Sequence, residues 1–389
     1  MGTRKKENPD LFSEVLAGKE TDQGHNEKLR KYSSAKKHSN AVASYIIDHE
    51  GTLFKEAELL KACSSWLIFR FFYTKSKYRL IGGCTCKKHL LCGMCALRRS
   101  AKTVMAYSEK IAHVMQEHSG LQPVLVTLTV KNGADLDERT QHLESAFTRM
   151  VDNRRRAKAG SRHTTIFRKI HGAAGAFEFK RGSGSGLWHP HIHMIALVPV
   201  ETDLMEMEWF TSEEWRGLTK DSHNVDITPI DMSTEESRMK AICEVFRYAL
   251  KFGEMEIADQ VHAYKILKGK RLVRDFGSLH GVKIPEDNHD SIEEELALQP
   301  YVDLVYEYSK KKGFFLSDVT DTGDLLTAPS KTTRTTGEKA ASRLSAKLFL
   351  QVKDHDKPGK TRSLDQNYMN QWAKDAEVET IYKPQEVPF

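Results

Sequence analysis

A chain of 389 residues, 39% hydrophobic and 29% charged, is long enough to bury one large core or two modest ones and too polar to live inside a membrane. No apolar run approaches bilayer length, and Met1-Gly2-Thr3-Arg4-Lys5-Lys6-Glu7 has no signal-like apolar core, which predicts a cytoplasmic protein with reduced thiols and no membrane partner. The net charge of +6 is mild, but its placement is not: Arg149, Arg154, Arg155, Arg156, Lys158, Arg162, Arg168, Lys169, Lys180 and Arg181 form a stretch broken only by Asp152 and Glu178, a field suited to nucleic acid.

In chain order, residues 1–24 read as a polar tail expected to be disordered, and helical patterns follow at 25–48 and 54–68. Cys84-Thr85-Cys86-Lys87-Lys88-His89, leading to Cys92-Gly93-Met94-Cys95, forms a cysteine-dense knuckle at 84–95. Cys92 and Cys95 have the spacing that wraps one metal ion, with Gly93 permitting the turn, and two of Cys84, Cys86 and His89 would complete a tetrahedron. Soft sulfur ligands in a closed site predict structural Zn²⁺; a disulfide or plain thiols are the alternative. Cys63 and Cys243 stand apart and read as ordinary buried thiols. Cys95 to His118 is an amphipathic helix, with Leu97, Ala101, Val104, Ser108, Ile111 and Met115 at three-four spacing. Residues 25–120 thus read as a helical region carrying the knuckle.

From Pro123 to Val130 the chain is apolar and β-branched like a buried strand, and Asp135 to Arg156 is a helix with Leu143, Ala146, Phe147 and Met150 as its core stripe. Ala174–Lys180 and His189–Val198 are two strands joined by Arg181-Gly182-Ser183-Gly184-Ser185-Gly186. A further helix runs from Ser233 to Phe252, with Ser233 and Glu236 in a capping-box pattern and Met239, Ile242, Phe246, Ala249 and Leu250 as its buried stripe. The order β-α-β-β-α predicts an α+β fold, a split βαβ, ferredoxin-like core with an antiparallel sheet and flanking helices, over 121–320. Residues 321–389 read as a basic polar tail, with Ser330–Thr336 as an expected disordered linker.

Chemistry concentrates in Trp188-His189-Pro190-His191-Ile192-His193. On a strand, His191 and His193 share one face, a ready pair of metal ligands. On the later helix, Glu244, Tyr248 and Lys251 lie nearly opposite the core stripe, flanked by Lys240 and Arg247. These features together resemble the HUH endonucleases, and more closely the replication initiators (Rep) of rolling-circle plasmids. Val126-Thr127-Leu128-Thr129-Val130-Lys131 is similar to their first motif, the histidine segment to their second, and Glu244-Val245-Phe246-Arg247-Tyr248 to their third. Cys92–Cys95 with Arg98-Arg99-Ser100 is similar to an upstream cysteine segment of that family, and Lys270-Arg271-Leu272-Val273 with Phe276-Gly277 to a downstream one.

The resemblance spans roughly residues 60 to 320 and implies an HUH core that nicks one strand of plasmid or phage origin DNA, leaving a 5′-phosphotyrosine and a 3′-OH primer. It implies Tyr248 as nucleophile, His191 and His193 as ligands of Mg²⁺ or Mn²⁺, and Glu244 as a general base, with an ion pair to Lys240 or Arg247 as its alternative. Glu178, between two phenylalanines on the neighbouring strand, is the candidate third ligand; its alternative is a solvent-facing carboxylate. Arg154, Arg155, Arg156, Lys240, Arg247 and Lys251 are the candidate DNA contacts, and a host helicase and polymerase the implied partners. Two other readings use the same residues: a non-catalytic zinc-containing DNA-binding protein, and an iron enzyme held by His191, His193 and Glu178.

Overall fold

The structure is a computed structural model and describes residues 23–162, 164–182, 185–246, 255–285 and 289–321. Both expected tails, apart from residues 23, 24 and 321, lie outside the described residues, as does the Ser330–Thr336 linker. The fold is α+β, with two antiparallel sheets and flanking helices, divided into two compact units.

The first unit takes residues from both sides of the second in sequence, its described residues being 23–88, 92–95 and 289–321. It contains α1 (Gln23–His49), α2 (Phe54–Ala62), β1 (Trp66–Phe72) and β2 (Lys77–Gly83). Its sheet is completed by β8 (Val302–Ser309) and β9 (Gly313–Asp321), in the order β2-β1-β8-β9. The helix expected over 54–68 stops at Ala62. Cys63 leaves the helical region and Ser64 takes a left-handed φ of 52°, so the chain turns and the aromatic run Trp66–Phe72 becomes a fully buried strand. An unbroken apolar run fits a strand covered on both faces as well as it fits a helix, and here the turn decides. Its one charge, Arg70, lies opposite Asp303 of β8 and donates to both carboxylate oxygens at 2.9 and 3.0 Å. Packed against this sheet, α1 buries His25, Leu29, Tyr32, Lys36, Ser39, Val42 and Ile46, with His25 stacked on Tyr78 at 3.9 Å.

In the second unit, α3 (Gly93–Glu117) contributes from Ala96 onward. There follow β3 (Leu121–Thr129), α4 (Leu136–Lys158), β4 (Gly172–Arg181), β5 (Trp188–Pro199), α5 (Leu204–Thr219), β6 (Val225–Pro229), α6 (Glu235–Phe246), α7 (Ile257–Leu267) and β7 (Val273–Gly277). Strand order is β6-β3-β5-β4-β7, each neighbour antiparallel. Strand β5 therefore splits the β3-α4-β4 unit, as the ferredoxin-like expectation required. The expected helix Asp135–Arg156 is α4. Asp135 caps it by accepting from the Asp137 and Glu138 amides, and all four residues of its stripe are buried.

The two faces of this sheet are covered differently. Phe147 of α4 meets Phe177 edge-on at 5.5 Å on one face. On the other, Val104, Tyr107, Ile111 and Val114 of α3 and Ile242, Val245 and Phe246 of α6 form one core cluster with Ala174, Ala176, Ile195 and Leu197. The capping of α6 differs from the expected Ser233–Glu236 box: Thr234 Oγ1 accepts from the Ser237 amide, while the Ser233 amide donates to Asp231. Elements α5, β6, α7 and β7 were not read from the sequence.

Candidate active site

Register places the histidine pair. On β5, His191 lies opposite Thr129 of β3 and Glu178 of β4, and His193 opposite Thr127 and Ala176. With side chains alternating along each strand, Glu178, His191 and His193 share one face, the face continued by Ala176, Ile195 and Leu197 and covered by α6. Phe177, Phe179 and Ile192 take the opposite face and are fully buried. Alternation with two phenylalanines thus delivers a lone carboxylate to the histidines, and Glu178 is 4% exposed, so the solvent-facing alternative does not apply.

His191 Nε2 lies 3.5 Å from Glu178 Oε1 and His193 Nε2 3.7 Å from Oε2, with the two imidazoles 4.6 Å apart and nearly perpendicular. One ligand atom from each residue falls within 4.8 Å of the others. The far side of each ring is held. His191 Nδ1 donates to its own strand's His189 carbonyl at 3.3 Å, and His193 Nδ1 is hydrogen-bonded to Thr127 Oγ1 at 3.1 Å. A carbonyl only accepts, so a neutral His191 must carry its hydrogen on Nδ1 and present the Nε2 lone pair to the carboxylate. Electron-rich atoms converging in a buried place call for a cation between them, and two imidazoles with one carboxylate suit a divalent ion. The donor set fits.

His189 is not part of this group. Its Nδ1 is bonded to Asn132 Oδ1 at 2.7 Å, and burial, followed by the neighbouring His191 and Lys180, pushes its pKa down. Asn132 was missed in the sequence, and Thr127 was noted there only as part of the first-motif segment, without a role behind His193, although two threonines alternating through an aliphatic strand were the available signal.

Residues 77–312 match the family described as replication protein. The chain belongs to that family. The Protein rep of Streptococcus pneumoniae serotype 2 (strain D39 / NCTC 7466) is 26% identical over 198 residues, covering 49% of this chain and 59% of that protein. The Protein rep of Lactiplantibacillus plantarum is 23% identical over 212 residues, covering 54% of this chain and 62% of that protein. The chain thus spans about three-fifths of the length of these curated relatives. No solved structure matches. The resemblance to rolling-circle plasmid initiators is borne out by the family match.

The other predicted site residues of this replication protein fall into three groups. Tyr248, Arg247 and Lys251 lie outside the described residues, which resume the α6 region only up to Phe246. Glu244 is half-buried in the last turn of α6 and Lys240 is exposed. Of the arginines, Arg155 and Arg156 are exposed at the end of α4, with Arg155 paired to Asp152 at 3.1 Å. Arg154 is a correction. It is 7% exposed, donates through Nε and Nη2 to the Ile170 and His171 carbonyls and lies over the Phe276 ring, so it closes the α4–β4 connection instead of standing on the surface with Arg155 and Arg156.

The cysteines also regroup. Cys63, expected to stand apart, joins Cys86, Cys92 and Cys95 within 4.8 Å, whereas Cys84 and His89 are not in the group. Gly93 serves a close approach to α1: a Cβ there would meet the Ala35 carbonyl and Cβ at 3.2 Å. Among the described residues no helix is long and apolar enough to cross a membrane.

Proposed function

We propose that this replication protein nicks and rejoins one strand of plasmid or phage origin DNA in the cytoplasm through a 5′-phosphotyrosine. The observation that carries the reading is the convergence of the His191 and His193 Nε2 atoms on the Glu178 carboxylate, on the sheet face that α6 covers. These three residues would hold Mg²⁺ or Mn²⁺, which when bound withdraws charge from a phosphate oxygen.

Tyr248, two residues after Phe246, would supply the nucleophile. Its oxygen bonds to phosphorus, the bond from phosphorus to the 3′ oxygen breaks, the phenol gives up its proton, and the 3′ oxygen leaves as a hydroxyl that primes a polymerase. An ordinary phenol costs roughly 4 kcal/mol to ionise at pH 7, so Lys240, Arg247 and Lys251 would ease the build-up of negative charge. The covalent link retains the ester, so the strand can be rejoined. Glu244, four residues before Tyr248 in sequence, would act as general base for a terminating water. Arg155 and Arg156 would hold the DNA backbone, and a host helicase and polymerase would extend the reaction.

Incubation of the full chain with a supercoiled plasmid bearing its origin and Mn²⁺ should yield open circles and a protease-sensitive adduct that Tyr248→Phe abolishes. His191→Ala or His193→Ala should slow nicking on the order of 100-fold. Wild-type nicking by Tyr248→Phe would sink the proposal. A protein that only binds the origin would leave every circle closed.

A further inference from the structure

The four cysteines that meet come from separate parts of the first unit: Cys63 after α2, Cys86 after β2, and Cys92 and Cys95 at the start of α3. Their sulfurs are 3.5 Å apart for Cys63–Cys92, 3.7 Å for Cys63–Cys95 and 3.6 Å for Cys86–Cys95. A disulfide would bring two sulfurs to about 2.05 Å. Four sulfurs placed at the usual zinc–thiolate length of about 2.3 Å around a tetrahedral centre are about 3.8 Å apart. The observed separations belong to the second arrangement.

Spacing alone does not separate a metal centre from four neutral thiols in weak mutual hydrogen bonds; Lys36 does. It is 2% exposed on the buried side of α1, and its ammonium donates to the carbonyls of Leu60, Lys61 and Cys63, the last of these a ligand candidate. Among the described residues no carboxylate pairs with it. A buried ammonium surrounded by neutral carbonyls is costly unless a negative charge lies nearby. Four thiolates around Zn²⁺ carry a net charge of −2, which supplies that charge.

A helix N-terminus also favours anionic sulfur: Cys92 and Cys95 sit at the start of α3, where backbone N–H groups stabilise thiolates. We infer that Cys63, Cys86, Cys92 and Cys95 form a zinc tetrathiolate and that Lys36 is its buried counter-cation. With four protein ligands the site has no open position for substrate, so its role is to tie the start of α3 to the ends of α2 and β2. The inference is independent of the nicking reaction.

Purified full chain should contain one zinc per molecule, and X-ray absorption at the zinc edge should report four sulfur neighbours. A shell of three sulfurs and one nitrogen, or a folded protein without zinc, would overturn the assignment, and neither readout requires a variant. In the Co²⁺-loaded protein Cys63→Ser should weaken the sulfur-to-metal charge-transfer band, while Cys84→Ser and His89→Ala leave it as in wild type; the reverse pattern refutes the ligand set. Lys36→Met should lower zinc affinity about 10-fold in competition with a chelator. Lys61→Met, at an exposed neighbour, should not change it. Equal affinity in Lys36→Met and wild type would remove Lys36 from the site.

Discussion

The imidazoles of His191 and His193 are aimed from behind, one by a backbone carbonyl and one by the Thr127 hydroxyl. Replacing Thr127 by valine keeps the strand and removes the hydrogen bond, so the Mn²⁺ concentration for half-maximal nicking should rise about 10-fold with little loss of fold, as a metal titration would show. A histidine away from this group makes a pH prediction. His171 is bonded to Ser278 Oγ at 2.9 Å, and its ring lies 4.6 Å from that of His118. Burial first, then the charges of His118, Lys158 and Arg154, hold its pKa below the usual value. Below about pH 6.5 the unfolded chain therefore binds a proton that the folded chain refuses, and stability falls as the pH drops toward the folded pKa. His171→Asn should flatten that acid-side slope in denaturant titrations at several pH values; an unchanged slope would contradict it. At this scale the sequence was readable wherever the grouping of side chains follows a local period. Two-residue alternation disclosed Glu178, His191 and His193, whereas Cys63 lies 23 residues before its nearest partner and had no local pattern to announce it.

Helix α6 is the element on which the proposed nucleophile depends, and its last described turn is fastened at several points. Phe246 stacks on Tyr107 at 4.5 Å, and its carbonyl accepts from Ser100 Oγ at 2.6 Å. Tyr107 in turn donates to Asp275 Oδ2 at 2.7 Å, while Arg271 and His280 occupy Oδ1. Burial and the Asp275 carboxylate push the Tyr107 hydroxyl well above its ordinary pKa, so it stays a donor. Tyr107→Phe preserves the stack but leaves Oδ2 without that donor; urea unfolding should show a loss of about 1–2 kcal/mol. The stripe of α4 and the Met239, Ile242 and Phe246 part of the α6 stripe were legible because helical spacing repeats over several turns, while Ala249 and Leu250 lie outside the described residues. Turn chemistry misled twice, at Ser233 and at Cys63–Ser64, since which hydroxyl caps a helix and where a helix stops depend on one or two backbone angles.

For the whole molecule, the informative pair is Arg70 and Asp303. It fixes β8 against β1 across 233 residues of sequence, with Arg70 also lying 3.7 Å over the Tyr301 ring. Asp303→Ala would leave a buried guanidinium without its counter-charge, and thermal or denaturant unfolding should show a loss of about 3–5 kcal/mol. Strands β8 and β9 were not read from the sequence, and nothing local says which sheet they join. The sequence expectation placed 121–320 in one catalytic domain, and within that span β8 and β9 pair with β1 and β2 rather than with β3 to β7. Because the first unit is left and re-entered, the order in which a ribosome delivers the parts has a consequence. When residue 286 emerges, every strand of the second sheet has been made, while β1, buried along its whole length in the folded chain, still waits for its other neighbour. Until β8 arrives, that strand presents an unsatisfied edge to any other nascent chain, so translation stalled in this interval should yield aggregates seeded by the first unit and spare the second.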